Sequence, residues 1–264
     1  DDSGSRHYLG HENRSQNAAI LEDTVLYIRR SGGSISKIAA MKNAVGNFID
    51  QVTANATGDP ATNEDDVTHR IGIVKFSGNE SDQIGNDTYR SDGNTYNYSQ
   101  AVQDLTSVTG NVQSLKNAVN ELAAAGSTRT DFGLNQAQRV LDGDWQHGLG
   151  GAREEAKQVV VVFTDGEPST FSNWSGGVAA NAVNLAKDLK DDKVTVYTIG
   201  MFEDADPSDT DGRFNKYMNG VSSNYPNAEV TNWRGDRTQD WDDCKLGTRV
   251  TEGNYYFAAD DAEE

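Results

Sequence analysis

The stretch K-Q-V-V-V-V-F-T-D-G-E-P at 157–168 decides the fold class. Residues 159–163 are apolar without interruption, which is typical of a strand that is covered on both faces, as in a parallel sheet. The T-D-G turn that follows contains Asp165, so a carboxylate stands where this strand ends. In open sheets of this class, ligands bind in the crevice at the carboxyl ends of the strands. The stretch therefore predicts a buried strand that delivers Asp165 to a binding edge.

Strand-like and helix-like segments alternate on both sides of this stretch. Apolar positions spaced three and four apart predict helices, one of them capped by Ser36, and short apolar runs predict strands. The predicted helices are 37–58, 111–126, 131–142, 178–190 and 213–223, and the predicted strands are 70–76, 157–164, 194–200 and 254–259. This alternation predicts one α/β domain over 1–264, doubly wound and Rossmann-like, with a mostly parallel central sheet and helices on both faces.

The composition excludes several classes of function. A formal net charge of −18 disfavours nucleic acid and anionic membrane surfaces as partners. No apolar run is long enough to predict a membrane span. The one cysteine, Cys244, allows neither an internal disulfide nor cysteine-based metal spacing. No phosphate-binding glycine loop follows a strand and no general base stands in the candidate motifs, so the sequence predicts that the protein is not an enzyme.

Three segments supply oxygen atoms that suit a hard cation. The first five residues, D-D-S-G-S, contain Asp1, Ser3 and Ser5 at alternate positions; G-S-T-R-T contains Thr128, and the T-D-G turn contains Asp165. Mg²⁺ takes about six oxygen ligands, of which usually one or two are carboxylates. Ordinary turn chemistry accounts for each motif alone. Together, at one edge of one sheet, they predict a cation site.

These motifs, in this order, resemble the von Willebrand factor A domain with its metal-ion-dependent adhesion site. The resemblance implies that Asp1, Ser3, Ser5, Thr128 and Asp165 hold Mg²⁺, with Mn²⁺ or Ca²⁺ as alternatives. It also implies that an acidic side chain of a protein ligand completes the coordination shell, which is the chemistry of a binding module.

Three further stretches are similar to one branch of the family, the modules of Gram-positive surface proteins and pilus-tip adhesins. They are V-K-F-S-G-N-E-S-D-Q-I-G-N-D-T-Y-R at 74–90, Y-N-Y-S-Q-A-V-Q-D-L at 96–105 and M-N-G-V-S-S-N-Y-P-N-A at 218–228. This resemblance implies a secreted or wall-anchored part of a larger surface protein that binds a host or matrix protein. The alternative function is a structural module of a surface stalk whose metal site is vestigial.

Two segments near the predicted edge have open interpretations. Phe171 and Trp174 follow the T-D-G turn and either contact a ligand at the rim of the site or pack within their own loop. The acidic stretch 203–212 resembles a calcium loop, but Pro207 breaks the EF-hand register. We favour a solvated acidic loop there.

The chain departs from the family pattern around its first strand. Nothing precedes Asp1, and residues 6–35 separate D-D-S-G-S from the first predicted helix. One explanation is that the first strand and the last helix are truncated and that 6–35 is an insertion with a hairpin in T-V-L-Y-I-R-R-S-G-G-S-I-S at 24–36. The rival is that T-V-L-Y-I is the central strand, so that Arg29 replaces the metal-binding aspartate. We favour the first, because D-D-S-G-S fits the motif unchanged whereas the rival needs a charge reversal.

Overall fold

The computed structural model of the protein describes residues 27–30, 33–56, 68–78, 88–91, 93–124, 126–143, 151–153, 156–170 and 173–259. The helices in this part are α1 (Lys37–Ala54), α2 (Val112–Asn120), α3 (Thr130–Asp142), α4 (Gly176–Asp191) and α5 (Arg213–Val221). The strands are β1 (Tyr27–Arg30), β2 (Gly33–Ser36), β3 (Arg70–Lys75), β4 (Thr88–Ser91), β5 (Asn94–Asn97), β6 (Gln100–Ser107), β7 (Val159–Thr164), β8 (Ser169–Thr170), β9 (Asn173–Trp174), β10 (Thr195–Gly200), β11 (Glu229–Val230), β12 (Cys244–Lys245) and β13 (Tyr256–Ala258). None of these helices is long and apolar enough to cross a membrane.

A parallel sheet of three strands forms the centre of the described fold. β10 lies between β7 and β13 and runs parallel to both. Thr198 of β10 stands opposite Val162 on one side and Tyr256 on the other. Helices pack around this sheet, so the prediction of an α/β fold of the Rossmann-like type is confirmed. The apolar run 159–163 is a strand of this sheet, as predicted.

A second pair of strands, β3 and β6, was only half predicted. They run antiparallel, and the register shifts between Ile71 and Val74 show a bulge. No element was predicted over 100–107, where β6 lies. In this strand only Ala101 and Asp104 are buried, three residues apart, so the strand lacks the period of two that marks a half-buried strand. The β4–β5 hairpin likewise lies where no element was predicted, between residues 88 and 97.

Helix α3 lies over both β3 and β7. A Cβ atom on Gly72 of β3 would lie 3.1 Å from Val140 of α3, so helix and strand approach closely. Leu134 of the same helix packs in a core cluster with Val162 of β7. Among the described residues, β3 and β7 do not pair with each other, and no strand pairs with the remaining edge of either. Val159 is 41% exposed on β7, although it belongs to the apolar run.

The segment just before α1 contains an antiparallel hairpin. β1 pairs with β2 so that Ile28 stands opposite Ile35 and Arg29 opposite Ser34. Residues 1–26, with D-D-S-G-S and the start of T-V-L-Y-I, lie outside the described residues, as do 260–264. Both interpretations of the first strand therefore stay predictions.

Helix α4 is buried along most of its length. Its apolar positions belong to the main core cluster together with residues of β7, β10, α5 and β11. The buried apolar residues of α4 are Val178, Ala179, Ala180, Ala182, Val183, Ala186 and Leu189. The small alanines let the helix approach its neighbours closely. Asn184 binds the backbone of β11 through two hydrogen bonds. Its Nδ2 donates to the Val230 carbonyl (3.1 Å), and its Oδ1 accepts from the Val230 N–H (2.9 Å).

Lys190 holds the chain that follows α5. Its ammonium nitrogen donates to the carbonyl oxygens of Gly220 (2.8 Å), Ser222 (3.2 Å) and Tyr225 (3.0 Å). These carbonyls belong to a helix end and the turn after it, where backbone acceptors lack helical partners. Burial lowers the pKa of Lys190 from 10.5 to about 7. One side chain of α4 therefore satisfies three backbone acceptors at once.

We expect Lys190→Met to lower the free energy of unfolding at pH 7 by about 1–3 kcal/mol, because buried carbonyls lose their donor. In the unmodified protein the unfolded chain holds up to one more proton than the folded protein between pH 7 and 10.5. Stability therefore rises with pH across that window. The variant lacks this titration, so its stability rises less.

Urea unfolding at both ends of the window measures both effects. Lys157→Met, at an exposed lysine, is the matched control. A Lys190→Met protein with unchanged stability and an unchanged pH slope would contradict this account.

Candidate functional site

Two loops at the end of β7 are joined by a pair of reciprocal hydrogen bonds. The Thr128 N–H donates to the Ser169 hydroxyl, and the Ser169 N–H donates to the Thr128 carbonyl, both over 3.0 Å. Thr128 precedes α3, and Ser169 follows the T-D-G turn. The loop of the predicted threonine and the loop of the predicted aspartate are thus one unit. Ser169 was not among the predicted site residues.

The Thr128 hydroxyl lies against the T-D-G turn that contains Asp165. A Cβ atom on Gly166 would lie 3.0 Å from Thr128 Oγ1, so that hydroxyl lies against the backbone of the residue next to Asp165. The Thr164 hydroxyl donates to the Gly166 carbonyl (3.0 Å), which closes the turn. Asp165 is half-buried, and its carboxylate has no hydrogen bond or ion pair among the described residues. A hydroxyl and an uncommitted carboxylate therefore share this edge.

The chain that follows β3 reaches the same edge. Gly78 and Ser127 exchange backbone hydrogen bonds of 3.1 and 2.7 Å. Gly126 has a φ of +72°, and a Cβ there would lie 2.8 Å from the Tyr98 ring, so only glycine fits this close approach. The ends of β3 and β7 thus meet at the loop that carries Thr128.

A buried ion pair begins helix α3, directly after Thr128. Arg129 donates to both carboxylate oxygens of Asp131, each over 2.9 Å, and both residues are less than 10% exposed. The Arg129 guanidinium also lies 3.5 Å from the centre of the Phe132 ring. The Asp131 carboxylate is therefore neutralised inside the protein, which leaves Asp165 as the open carboxylate of the two.

Trp174 packs within an aromatic cluster beside the edge. Its ring meets Trp241 and Tyr217 edge-on, with centroid distances of 5.4 and 6.3 Å, and the Arg213 guanidinium lies 4.6 Å from its centre. Arg213 also pairs with Glu167 at 2.7 Å. Trp174 stays half-buried, and its ring partners Tyr217 and Trp241 lie outside the loop in which it was predicted to pack. A contact of Trp174 with a ligand remains a prediction, and Phe171 lies outside the described residues.

The acidic loop 203–212 uses its carboxylates to hold itself together. Asp206 accepts from the N–H and hydroxyl of Ser208 at 2.8 and 2.7 Å. Asp209 accepts from the Asp211 and Gly212 N–H groups at 2.9 and 2.8 Å, and from Asn215 Nδ2 at 3.0 Å. These hydrogen bonds lower the pKa of both carboxyl groups. The favoured interpretation, a solvated acidic loop, agrees with this geometry.

Of the five predicted ligands, the structure brings Thr128 and Asp165 to one edge. Asp1, Ser3 and Ser5 lie outside the described residues, so their part in the site stays a prediction. In the part of the chain that the structure describes, no three histidine, cysteine, aspartate or glutamate side chains cluster as metal ligands. The described part of the predicted site supplies one carboxylate and one hydroxyl, too few acidic side chains for such a cluster, and both are oxygen donors that fit a hard cation.

Comparisons with known proteins place the chain in a family. A family model described as the von Willebrand factor type A domain matches residues 30–234, more than half of the chain. No curated protein matches significantly.

Two solved structures align with 86% of the chain. Proximal thread matrix protein 1 of the mussel byssus is 15% identical, with a TM-score of 0.44 over 39% of its own length. The pilus adhesin SpaC from Lactobacillus rhamnosus GG, in an open conformation, is 16% identical, with a TM-score of 0.49 over 26% of its length. The chain thus corresponds to less than half of either protein.

We expect Ser169→Ala to loosen the loop that carries Thr128, because the Thr128 N–H loses its acceptor. The free energy of unfolding should fall by about 1 kcal/mol. The Thr128 amide should exchange its hydrogen faster, measured by hydrogen exchange with NMR detection. Ser208→Ala, which removes a hydroxyl bound to Asp206 on the surface, is the control and should leave the Thr128 amide unchanged. Unaltered exchange in Ser169→Ala would contradict the role given to this contact.

Proposed function

Because the chain belongs to the von Willebrand factor type A domain family, we propose that it is a protein-binding module that uses a divalent cation at the Thr128–Asp165 edge. The observation that carries the proposal is the Asp165 carboxylate, which has no partner among the described residues and lies on a loop joined to that of Thr128. A charged group left open in this way costs free energy unless water or a cation compensates it.

The proposed site binds Mg²⁺, with Mn²⁺ or Ca²⁺ as alternatives. Thr128 and Asp165 would supply two oxygen ligands, and Asp1, Ser3 and Ser5 are proposed to supply the others. Hydroxyl ligands add no full charge, so the bound ion keeps an affinity for a further anion. An acidic side chain of a partner protein would complete the shell. This role is adhesion rather than catalysis.

The proposed setting is extracellular. The stretches that resemble modules of Gram-positive surface proteins and pilus-tip adhesins support a secreted or wall-anchored protein of that kind. A host or matrix protein would be the partner. The net charge of −18 suits a solvated surface, and it makes a bridging cation useful where two acidic surfaces meet.

One observation favours a second candidate, a structural module of a surface stalk with a vestigial site. The family match begins at Arg30, after D-D-S-G-S and directly after Arg29, so arginines rather than an acid stand at its start. An arginine at the ligand position would repel a divalent cation. In that case the Thr128–Asp165 edge contacts neighbouring parts of the stalk without a metal ion.

We expect Mg²⁺ to bind the metal-stripped protein saturably, and Asp165→Asn to abolish this binding, because the carboxylate is the charged ligand of the described pair. Thr128→Val, which replaces the hydroxyl by a methyl group, should weaken the binding. Isothermal titration calorimetry with Mg²⁺ and Mn²⁺ measures both effects.

Asp211→Asn, at an exposed aspartate in the acidic loop, is the matched control and should bind like the unmodified protein. Asp1→Asn tests the D-D-S-G-S assignment separately. If Asp165→Asn loses binding and Asp1→Asn keeps it, Asp1 is not a ligand and the remaining ligands are other residues. Saturable binding that persists in Asp165→Asn, or no binding at all, would favour the stalk module.

A further inference from the structure

A charged tripeptide, Arg234-Gly235-Asp236, lies at the tip of a tight turn that the proposed cation site does not use. All three residues are exposed, and the preceding Trp233 is 85% exposed. At the base of the turn Thr231 and Arg237 form an antiparallel bridge. The tripeptide is thus held at a protruding tip and not in an extended loop.

The backbone of this turn is fixed by its own hydrogen bonds. The Gly235 N–H donates to the Asn232 carbonyl (3.0 Å), and the Asn232 N–H donates to the Asp236 carbonyl (2.9 Å). Gly235 has a φ of +86°, a left-handed conformation that glycine adopts without strain. Asn232 Oδ1 accepts from the N–H groups of Arg234 (2.8 Å) and Asp236 (3.1 Å). A partner would therefore meet a preformed turn and bear little ordering cost.

The stem of the turn is anchored to helix α4. Arg237 donates through both terminal nitrogens to the Asp188 carboxylate, one of the two bonds being 2.9 Å long. One turn earlier on the helix, Asn184 holds the backbone of Val230 from both sides. Lys245 donates to the Thr231 carbonyl (3.0 Å). The tip projects from a rigid base.

Neither charged side chain at the tip forms an ion pair within the described residues. Within the described residues Arg234 makes no ion pair, and its guanidinium lies 4.6 Å from the centre of the Trp233 ring. The Asp236 carboxylate has a long contact of 3.4 Å with Asn232 Nδ2. The two residues do not pair with each other. A guanidinium and a carboxylate thus stand side by side, one residue apart, both open to a partner.

We propose that this turn is a recognition site for a receptor that holds a carboxylate-lined pocket for Arg234 beside a bound divalent cation for Asp236. A guanidinium pairs best with carboxylates, and an aspartate carboxylate is a hard oxygen ligand for a divalent cation. Trp233 adds an exposed aromatic surface of the kind that anchors interfaces. The inference goes beyond the proposed function, because here the chain supplies the acidic group that a cation binds.

The test uses an immobilised integrin ectodomain that binds Arg-Gly-Asp peptides, in a buffer with Mn²⁺. The unmodified protein should bind saturably by surface plasmon resonance, and a soluble Arg-Gly-Asp peptide should displace it. Asp236→Glu should weaken binding by roughly 30-fold or more, the loss typical of a hot-spot contact. Asp211→Glu makes the same change at another exposed loop aspartate and should have no effect.

A second variant tests the geometry of the turn. Asn232→Ala keeps the tripeptide but removes the acceptor of two N–H groups, so binding should fall by about 3- to 10-fold. Absence of binding by the unmodified protein, or equal binding by Asp236→Glu, would overturn the proposal. Self-association that Asp236→Glu abolishes, without receptor binding, would assign the turn to contacts between copies of this chain and overturn it too. The receptor assay and the magnesium titration use different variants, so failure of one leaves the other standing.

Discussion

The burial of helix α4 against the parallel sheet is the interaction on which both proposed surfaces depend. The helix begins after Ser175, whose hydroxyl accepts from the Val178 N–H, directly after the loop that carries Asp165 and Ser169. Its second half holds β11 and the stem of the Arg-Gly-Asp turn through Asn184 and Asp188. Its apolar face, with its alanines fully buried, supplies the free energy that keeps these polar contacts in register. A cavity in this face would therefore disturb both surfaces together.

The electrostatics of the Asp165 edge follow from which carboxylates are already paired. Asp131, close by in sequence to Thr128, is buried against Arg129, and Glu167, two residues after Asp165, lies against Arg213. The Glu167–Arg213 ion pair is exposed and contributes little stability, but it directs the Glu167 carboxylate towards the Arg213 guanidinium. In a chain with a net charge of −18, the carboxylates of Asp131 and Glu167 are thus paired with arginines, whereas that of Asp165 has no such partner among the described residues.

The elements that sequence reasoning identified are those whose signal is local. The run 159–163 predicts a strand because its side chains are apolar on both faces, and the helices follow from their period. The strand β6 was not identified, since it is held by β3 across a bulge and its own residues show no alternation. Ser169 and the Arg129–Asp131 pair could not be assigned roles, because these depend on which loops meet in space. The Arg-Gly-Asp tripeptide is legible in the sequence, but its exposure and its rigid turn depend on Asn232 and on the anchoring of Arg237 to α4.

The placement of α4 also has a mechanical consequence. The helix has 16 residues and thus a length of about 24 Å, and it joins the loop of Asp165 to the stem of the Arg234–Asp236 turn. The first residues of α4 follow the Asp165 loop in the chain and Asp188 near its end holds Arg237, so a pull between the two places acts on this one helix. The two places therefore separate only if α4 unwinds or leaves the core in which its alanines are buried.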